Sequence, residues 1–240
     1  MNLKKIIKLF CSGNVCVTGL RGTGKDLLFG NVITRLKKPY ISNLNYSDDD
    51  LYQELDLQRL DAGKNTFKNF INHNIKYYDF DYIKGSDIYI SDAGIYFPSQ
   101  HCGELNKMYP YFATYQALSR QISHNNVHVN VQNLNRLWDK IREQSDIYIR
   151  CIKTIYLFGW VIQSVVVYDK YDACVNRVKP LKMKVPLFAD KNTKQHVKMY
   201  IDNFQVQNGS IKQYTLIYKN KSKHDTYYFE KMMKEGEKND

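Results

Sequence analysis

A chain of 240 residues, 43% hydrophobic and 25% charged, is long enough for one α/β domain with a sizeable core; its composition excludes general disorder and argues against two full domains. Lys and Arg outnumber Asp and Glu by 35 to 24, a net charge of +11, which points to a polyanionic partner such as nucleic acid or an acidic membrane face. The five cysteines (Cys11, Cys16, Cys102, Cys151, Cys174) form no Cys-x-x-Cys pair and are odd in number, which argues against a disulfide framework or a zinc knuckle and fits a reducing cytosol.

Leu3, Ile6, Ile7 and Phe10 fall at helical spacing, with Lys4, Lys5 and Lys8 on the other face, so residues 1–12 are expected to form a short amphipathic helix. Such a helix packs on a core or lies on a membrane surface. Ser12, Gly13 and Asn14 cut its apolar part short, which argues against a secretory signal. Asn14 to Thr18 (NVCVT) is then a short β-prone run, and Lys25 to Lys37 is helix-forming.

Between them, Gly19-Leu-Arg-Gly-Thr-Gly-Lys25-Asp26 matches the phosphate-loop pattern G-x-x-x-x-G-K-[ST] at every fixed position but the last. Glycines let backbone N–H groups converge on phosphate oxygens, and the following helix N-terminus adds a positive dipole. Contacts to ATP are expected from Gly19, Leu20, Arg21, Gly22, Thr23, Gly24, Lys25, Asp26 and Leu27, with Lys25 reaching the β and γ phosphates. Asp26 is the departure. A Ser or Thr there puts a neutral hydroxyl on Mg²⁺, whereas a carboxylate adds negative charge beside a triphosphate.

Lys38 to Leu44 (KPYISNL) and Asp87 to Ile90 (DIYI) read as further strands, and Asp48 to Leu60 as a helix, while Thr66 to Ile83 is aromatic and receives no assignment. The strand DIYI runs into Ser91-Asp92-Ala93, and an apolar strand ending in an acid is how phosphate-loop enzymes bring a carboxylate to the metal and its water. Tyr111 to Ser123 and Leu134 to Gln144 are helical by period, and Val127 to Gln132 (VHVNVQ) alternates as a strand. His124 and His128 read as structural surface residues rather than metal ligands.

From Asp146 to Val178 the pattern turns strand-rich, with Ile147 to Ile155 and Val161 to Tyr168 flanking Gly159 as in a hairpin. The longest apolar run, Ile155 to Tyr168, is too short and too polar to span a membrane. Arg177 to Lys198 holds seven basic residues and one acid, a DNA-facing candidate. The expected fold is α/β, a P-loop NTPase with a mainly parallel sheet flanked by helices and a β-rich C-terminal addition. Residues 13–145 would form its core, 146–230 an extension completing the same domain, and 231–240 a frayed tail.

These residues resemble the zonula occludens toxin-like assembly ATPases of filamentous phages, within the wider FtsK/HerA-type class that includes viral genome-packaging ATPases. The similarity lies in the loop, in Ile41-Ser42-Asn43, in Ser91-Asp92-Ala93 followed by Phe97-Pro98, in Leu118-Ser119-Arg120, in Val131-Gln132, in Ile141-Arg142, and in His224-Asp225-Thr226 with Phe229. It implies an ATP-driven motor for DNA packaging or virion assembly, acting in the host cytoplasm on single- or double-stranded DNA as a ring-shaped homo-oligomer with virion or capsid proteins. Filamentous-phage members usually carry a membrane segment; here only peripheral membrane contact is expected.

The resemblance further implies that Asp92 orients or deprotonates the attacking water, that Gln132 senses the γ-phosphate, and that Arg120 or Arg142 serves as an arginine finger. It places Ser91 where the family has its metal-site Asp. Asp26, Ser91 and Asp92 are then the expected Mg²⁺ ligands, with the hydroxyl and the carboxylate exchanged between the first two. The alternative is a scaffold that binds nucleotide or DNA without turnover.

Overall fold

The structure, a computed structural model, describes residues 3–44, 49–57, 83, 85–108, 112–122, 124–184, 188 and 190–222. The stretch 66–82, the segment from His224 to Phe229 and the tail from residue 231 lie outside them.

Helix α1 (Lys4–Ser12) leads into β1 (Val15–Thr18), the phosphate loop and α2 (Lys25–Leu36). β2 (Tyr40–Ser42), β3 (Tyr52–Glu54) and β4 (Asp87–Ile90) follow, then the short α3 (Ala93–Tyr96), α4 (Cys102–Met108), α5 (Phe112–Ile122) and β5 (Val127–Val131). The remainder is α6 (Asp139–Glu143), β6 (Ile147–Leu157), β7 (Trp160–Tyr168), α7 (Tyr171–Val175), α8 (Lys191–Asn208) and β8 (Ile211–Lys219).

The strands form one sheet in the order β3-β2-β4-β5-β1-β6-β7-β8. Pairing is parallel from β3 to β6, and antiparallel between β6 and β7 and between β7 and β8. β5 therefore separates β1 from β4, so three adjacent strand ends meet at the mouth of the loop. This is the expected α/β phosphate-loop architecture, a parallel sheet covered on both faces with an antiparallel addition at one edge.

One face of the sheet is covered by α1 and α2 through Leu3, Ile6, Phe10, Leu28, Phe29 and Val32. The other carries Phe97, Phe112, Tyr115, Trp138, Ile141 and Cys174. The apolar stripe of α1 is thus spent on the core, with its three lysines exposed. Among the described residues no helix is long and apolar enough to cross a membrane.

Three departures from the sequence reading have local causes. Part of the segment expected as a helix from Asp48 forms β3, a short edge strand beside β2. Leu134, Leu137, Trp138 and Ile141 are all buried as their spacing required, yet they do not share one helix. A 3₁₀ turn at Leu134–Arg136 gives way to extended backbone, because the Trp138 N–H donates to Phe97 O at 2.8 Å and Leu137 bridges Pro98. Finally, the extension contains an unanticipated 18-residue helix, α8, capped by Asp190, which accepts from Thr193 N at 2.7 Å; none of its residues is buried.

His128 is not a surface residue. It lies on β5 with 0% exposure, its ring 4.8 Å from both Phe10 and Tyr89, and Nδ1 accepts the Val15 N–H at 3.2 Å. Burial, and secondarily the positive charge of Lys38, holds its pKa down at about 3. Above the ordinary value of about 6.5, folded and unfolded states are both neutral. As pH falls from there toward 3, only the unfolded chain takes up the proton, so the folded state loses stability. Denaturant titrations should therefore show about 1–2 kcal/mol less stability at pH 5 than at pH 7, with His128→Phe flattening that difference.

Candidate phosphate-binding site

The loop leaves β1 at Gly19 and enters α2 at Lys25. Gly22 and Gly24 adopt φ of 77° and 80°, the left-handed region that glycine enters without a steric penalty. A Cβ on Gly24 would also lie 2.5 Å from Thr154 Oγ1 and 2.9 Å from Gln163 Nε2. Those contacts identify what holds the loop. Thr154 Oγ1 on β6 donates to Thr23 O at 2.8 Å, and Gln163 Nε2 on β7 donates to Thr23 O at 3.1 Å and Gly24 O at 2.9 Å.

Gln163 is itself fully buried and accepts from Tyr218 Oη of β8 at 2.8 Å. In a trans peptide the N–H points opposite to the preceding carbonyl. Holding the Thr23 and Gly24 carbonyls against the hairpin therefore turns the Gly24 and Lys25 N–H groups away from it. The N-terminus of α2 has no side-chain cap, so its first N–H groups are open to an anion. Lys25 is 6% exposed, and its Nζ donates to Leu20 O at 3.4 Å across the loop.

Asp26 meets the ends of β4 and β5. Ser91 Oγ donates to Asp26 Oδ1, Asn130 Nδ2 donates to the same oxygen at 2.7 Å, and Asn130 Nδ2 lies 3.1 Å from Ser91 Oγ. The Ser91-Asp92 turn is pinned on both sides. Asn43 accepts from Ser91 N at 2.7 Å and donates to Ser91 O at 2.8 Å, while Asn130 Oδ1 accepts from Asp92 N at 2.8 Å. Asp92 is held in the left-handed region, φ 47° and ψ 45°. Its carboxyl pKa is raised, first by burial and then by the negative charge of Asp26, against the opposing charge of Lys25.

The two residues expected to have exchanged roles are therefore in direct contact. Among the described residues no group of three or more His, Cys, Asp or Glu could hold a metal. Asp26, Ser91 and Asp92 instead offer two carboxylates and a hydroxyl, hard oxygen donors of the kind Mg²⁺ takes. The crowding of two carboxylates against one lysine is the charge arrangement a divalent cation balances. The residues present fit the ion.

Gln132 is exposed just beyond β5 and lines two small cavities, one of about 170 Å³ with Asp92 and Arg136, and one of about 180 Å³ with Thr18, Arg150 and Arg177. The two arginines expected as fingers are not beside the loop of their own chain. Arg120 pairs with Asp146 at 3.3 Å and donates to Ser12 O at 3.3 Å, at the end of β1 remote from the loop. The Arg142 guanidinium lies 4.6 Å over the Tyr171 ring.

Of the cations that do stand near the site, Arg136 and Arg150 were not singled out from the sequence, nor was Asn130, and Arg177 entered only as the start of the basic segment. The basic segment from Arg177 is also divided. Its first part lines a groove beside the loop, and Lys191, Lys194 and Lys198 are exposed on α8.

No protein-family model matches this chain, and no curated protein does. Among solved structures it is similar to the genome packaging NTPase B204 from Sulfolobus turreted icosahedral virus 2, bound to ATP-gammaS, at 15% identity over 90% of this chain and 98% of that one, with a TM-score of 0.39. It is also similar to the N-terminal domain of zonular occludens toxin from Neisseria meningitidis, at 14% identity over 91% and 97%, with a TM-score of 0.44. The Legionella pneumophila ATPase DotB shows 12% identity over 87% and 58%, with a TM-score of 0.39. The second is of the kind the sequence resembles. At these identities no activity transfers, and the fold rests on the strand order and loop of this chain itself.

If the hairpin sets the loop, Gln163→Leu should weaken ATP binding about tenfold, because a site whose supporting shell is loosened loses its productive geometry. Tyr218 Oη would lose its acceptor, while Thr23 O would keep Thr154 and Gly24 O the Leu28 N–H, so the change should also cost about 1–3 kcal/mol of stability. Titration calorimetry and denaturant unfolding separate the two effects. The milder Thr154→Val should move both in the same direction by less.

Proposed function

We propose that this chain is an ATP hydrolase that drives DNA movement in packaging or extrusion of a viral genome. The observation that carries the reading is the convergence of Lys25, Asp26, Ser91, Asn130 and Asp92 at the mouth of a braced phosphate loop. Three elements far apart in sequence are brought together by the order β4-β5-β1.

In this reading the α2 N-terminus and Lys25 bind the β and γ phosphates. Asp26, Ser91 and Asp92 would hold Mg²⁺, which when bound offsets charge on the phosphate oxygens. Asp92 orients the attacking water and takes its proton. Gln132, which shares a cavity with Asp92, would sense the terminal phosphate. Asn43 and Asn130 keep the Ser91-Asp92 turn at the loop.

The DNA partner is supported by the net charge of +11 and by Lys191, Lys194 and Lys198 on exposed α8. Assembly into a ring and contact with capsid or virion proteins belong to the same proposal. A reducing cytoplasm is supported by the five free cysteines.

Phosphate release with Mg²⁺ and ATP, with and without single- and double-stranded DNA, tests the activity. Lys25→Ala should remove turnover and weaken nucleotide binding with the fold retained. Asp26→Ser alone should lose metal-dependent turnover, and adding Ser91→Asp should restore part of it, since a carboxylate and a hydroxyl again face each other. A double variant no better than the worse single would refute the exchange. Neutralising Lys191, Lys194 and Lys198 together should lower the salt dependence of DNA binding.

A further inference from the structure

A groove of about 850 Å³ opens beside the loop, over β6 and β7 and beneath the strand of chain that follows α7. Leu20 and Thr23 of the loop form part of its wall, so it is continuous with the phosphate site. Ile152, Val166 and Tyr168 line its sheet side, and Arg150 and Arg177 line it as well as the small cavity that holds Gln132. Its volume falls in the range of small-molecule pockets, which are apolar with a few placed polar groups.

The loop fixes which end of a nucleotide faces the groove. In the hydrolase reading Lys25 would reach the β and γ phosphates, and Asp26 and Asp92, which would stand beside the terminal phosphate, lie on the β4 and β5 flank of β1. The α-phosphate and whatever it carries must therefore leave on the β6 flank, where the groove begins.

Resting on the hydrolase reading, we propose that this groove is the nucleoside site. The base lies against the exposed face of Ile152, with Arg177 stacking on it and Arg150 directed toward the α-phosphate and ribose end. A planar guanidinium can stack on a base where an ammonium cannot. One edge of the Arg150 guanidinium is held by Cys174 O, to which Nη1 donates at 3.3 Å on the side of the Gln132 cavity. Ile152 is 47% exposed, so its substitution tests the groove without opening the core.

The test compares ATP with inorganic tripolyphosphate by titration calorimetry on the full chain with Mg²⁺ present. Wild type should bind ATP about tenfold or more tightly than tripolyphosphate, the difference being the nucleoside's contacts. Ile152→Trp, which intrudes on the proposed base position, and Arg177→Lys, which keeps the charge but not the plane, should each weaken ATP by about five- to tenfold and leave tripolyphosphate within about twofold. Far-ultraviolet circular dichroism checks that both variants fold. Equal binding of the two ligands by wild type, or variants that weaken both alike or neither, would overturn the nucleoside site while leaving the phosphate loop standing. Failure of wild type to bind either ligand would overturn both readings.

Discussion

The hydrogen bonds from Thr154 and Gln163 to the carbonyls of Thr23 and Gly24 are the constraint on which the site depends. A glycine-rich loop is free to adopt many conformations, and ordering it costs entropy that packing cannot repay, since glycines bury no side chain. Here two side chains from an antiparallel hairpin supply the order. The β-rich addition is therefore not an appendage to the parallel core but part of what holds the loop. β8 joins the same device through Tyr218, which fixes the amide of Gln163.

On the other flank of the loop the control is electrostatic. Asp26 brings a charge that a Ser or Thr would not, and Ser91 at the end of β4 brings a neutral hydroxyl. The two side chains are in direct contact, with Asn130 bridging them. The charge is carried by α2, while Asp92 feels Asp26 through its raised pKa. Two asparagines, Asn43 and Asn130, hold the turn by backbone contacts that are indifferent to whether residue 91 is an acid or an alcohol.

Sequence reading reached the loop, Lys25, Asp26 and Asp92 because each sits in a short local pattern of strand, turn and helix; Ser91 was singled out only through the family resemblance. It missed Asn130 because VHVNVQ alternates as a strand with one wet face would. β5 is instead central and buried on both faces, and its polar residues turn to Asp26 and to the ring cage around His128. Gln163 was visible only as a polar interruption in an apolar run, and its role needs the pairing that sets Thr154 opposite it. Arg150 and Arg177 reach the loop only because β6 lies beside β1 and the chain folds back after α7. Helix α8, polar on nearly every side and without a buried residue, carries no period strong enough to be read.

The most direct test of the account is a crystal structure with Mg²⁺ and a non-hydrolysable ATP analogue. The account requires the β and γ phosphates to lie on the Gly24 and Lys25 N–H groups, with the cation taking oxygens from both Asp26 and Ser91 in place of their mutual hydrogen bond. A nucleotide bound away from the loop, or a cation bound while Ser91 still donates to Asp26, would contradict it.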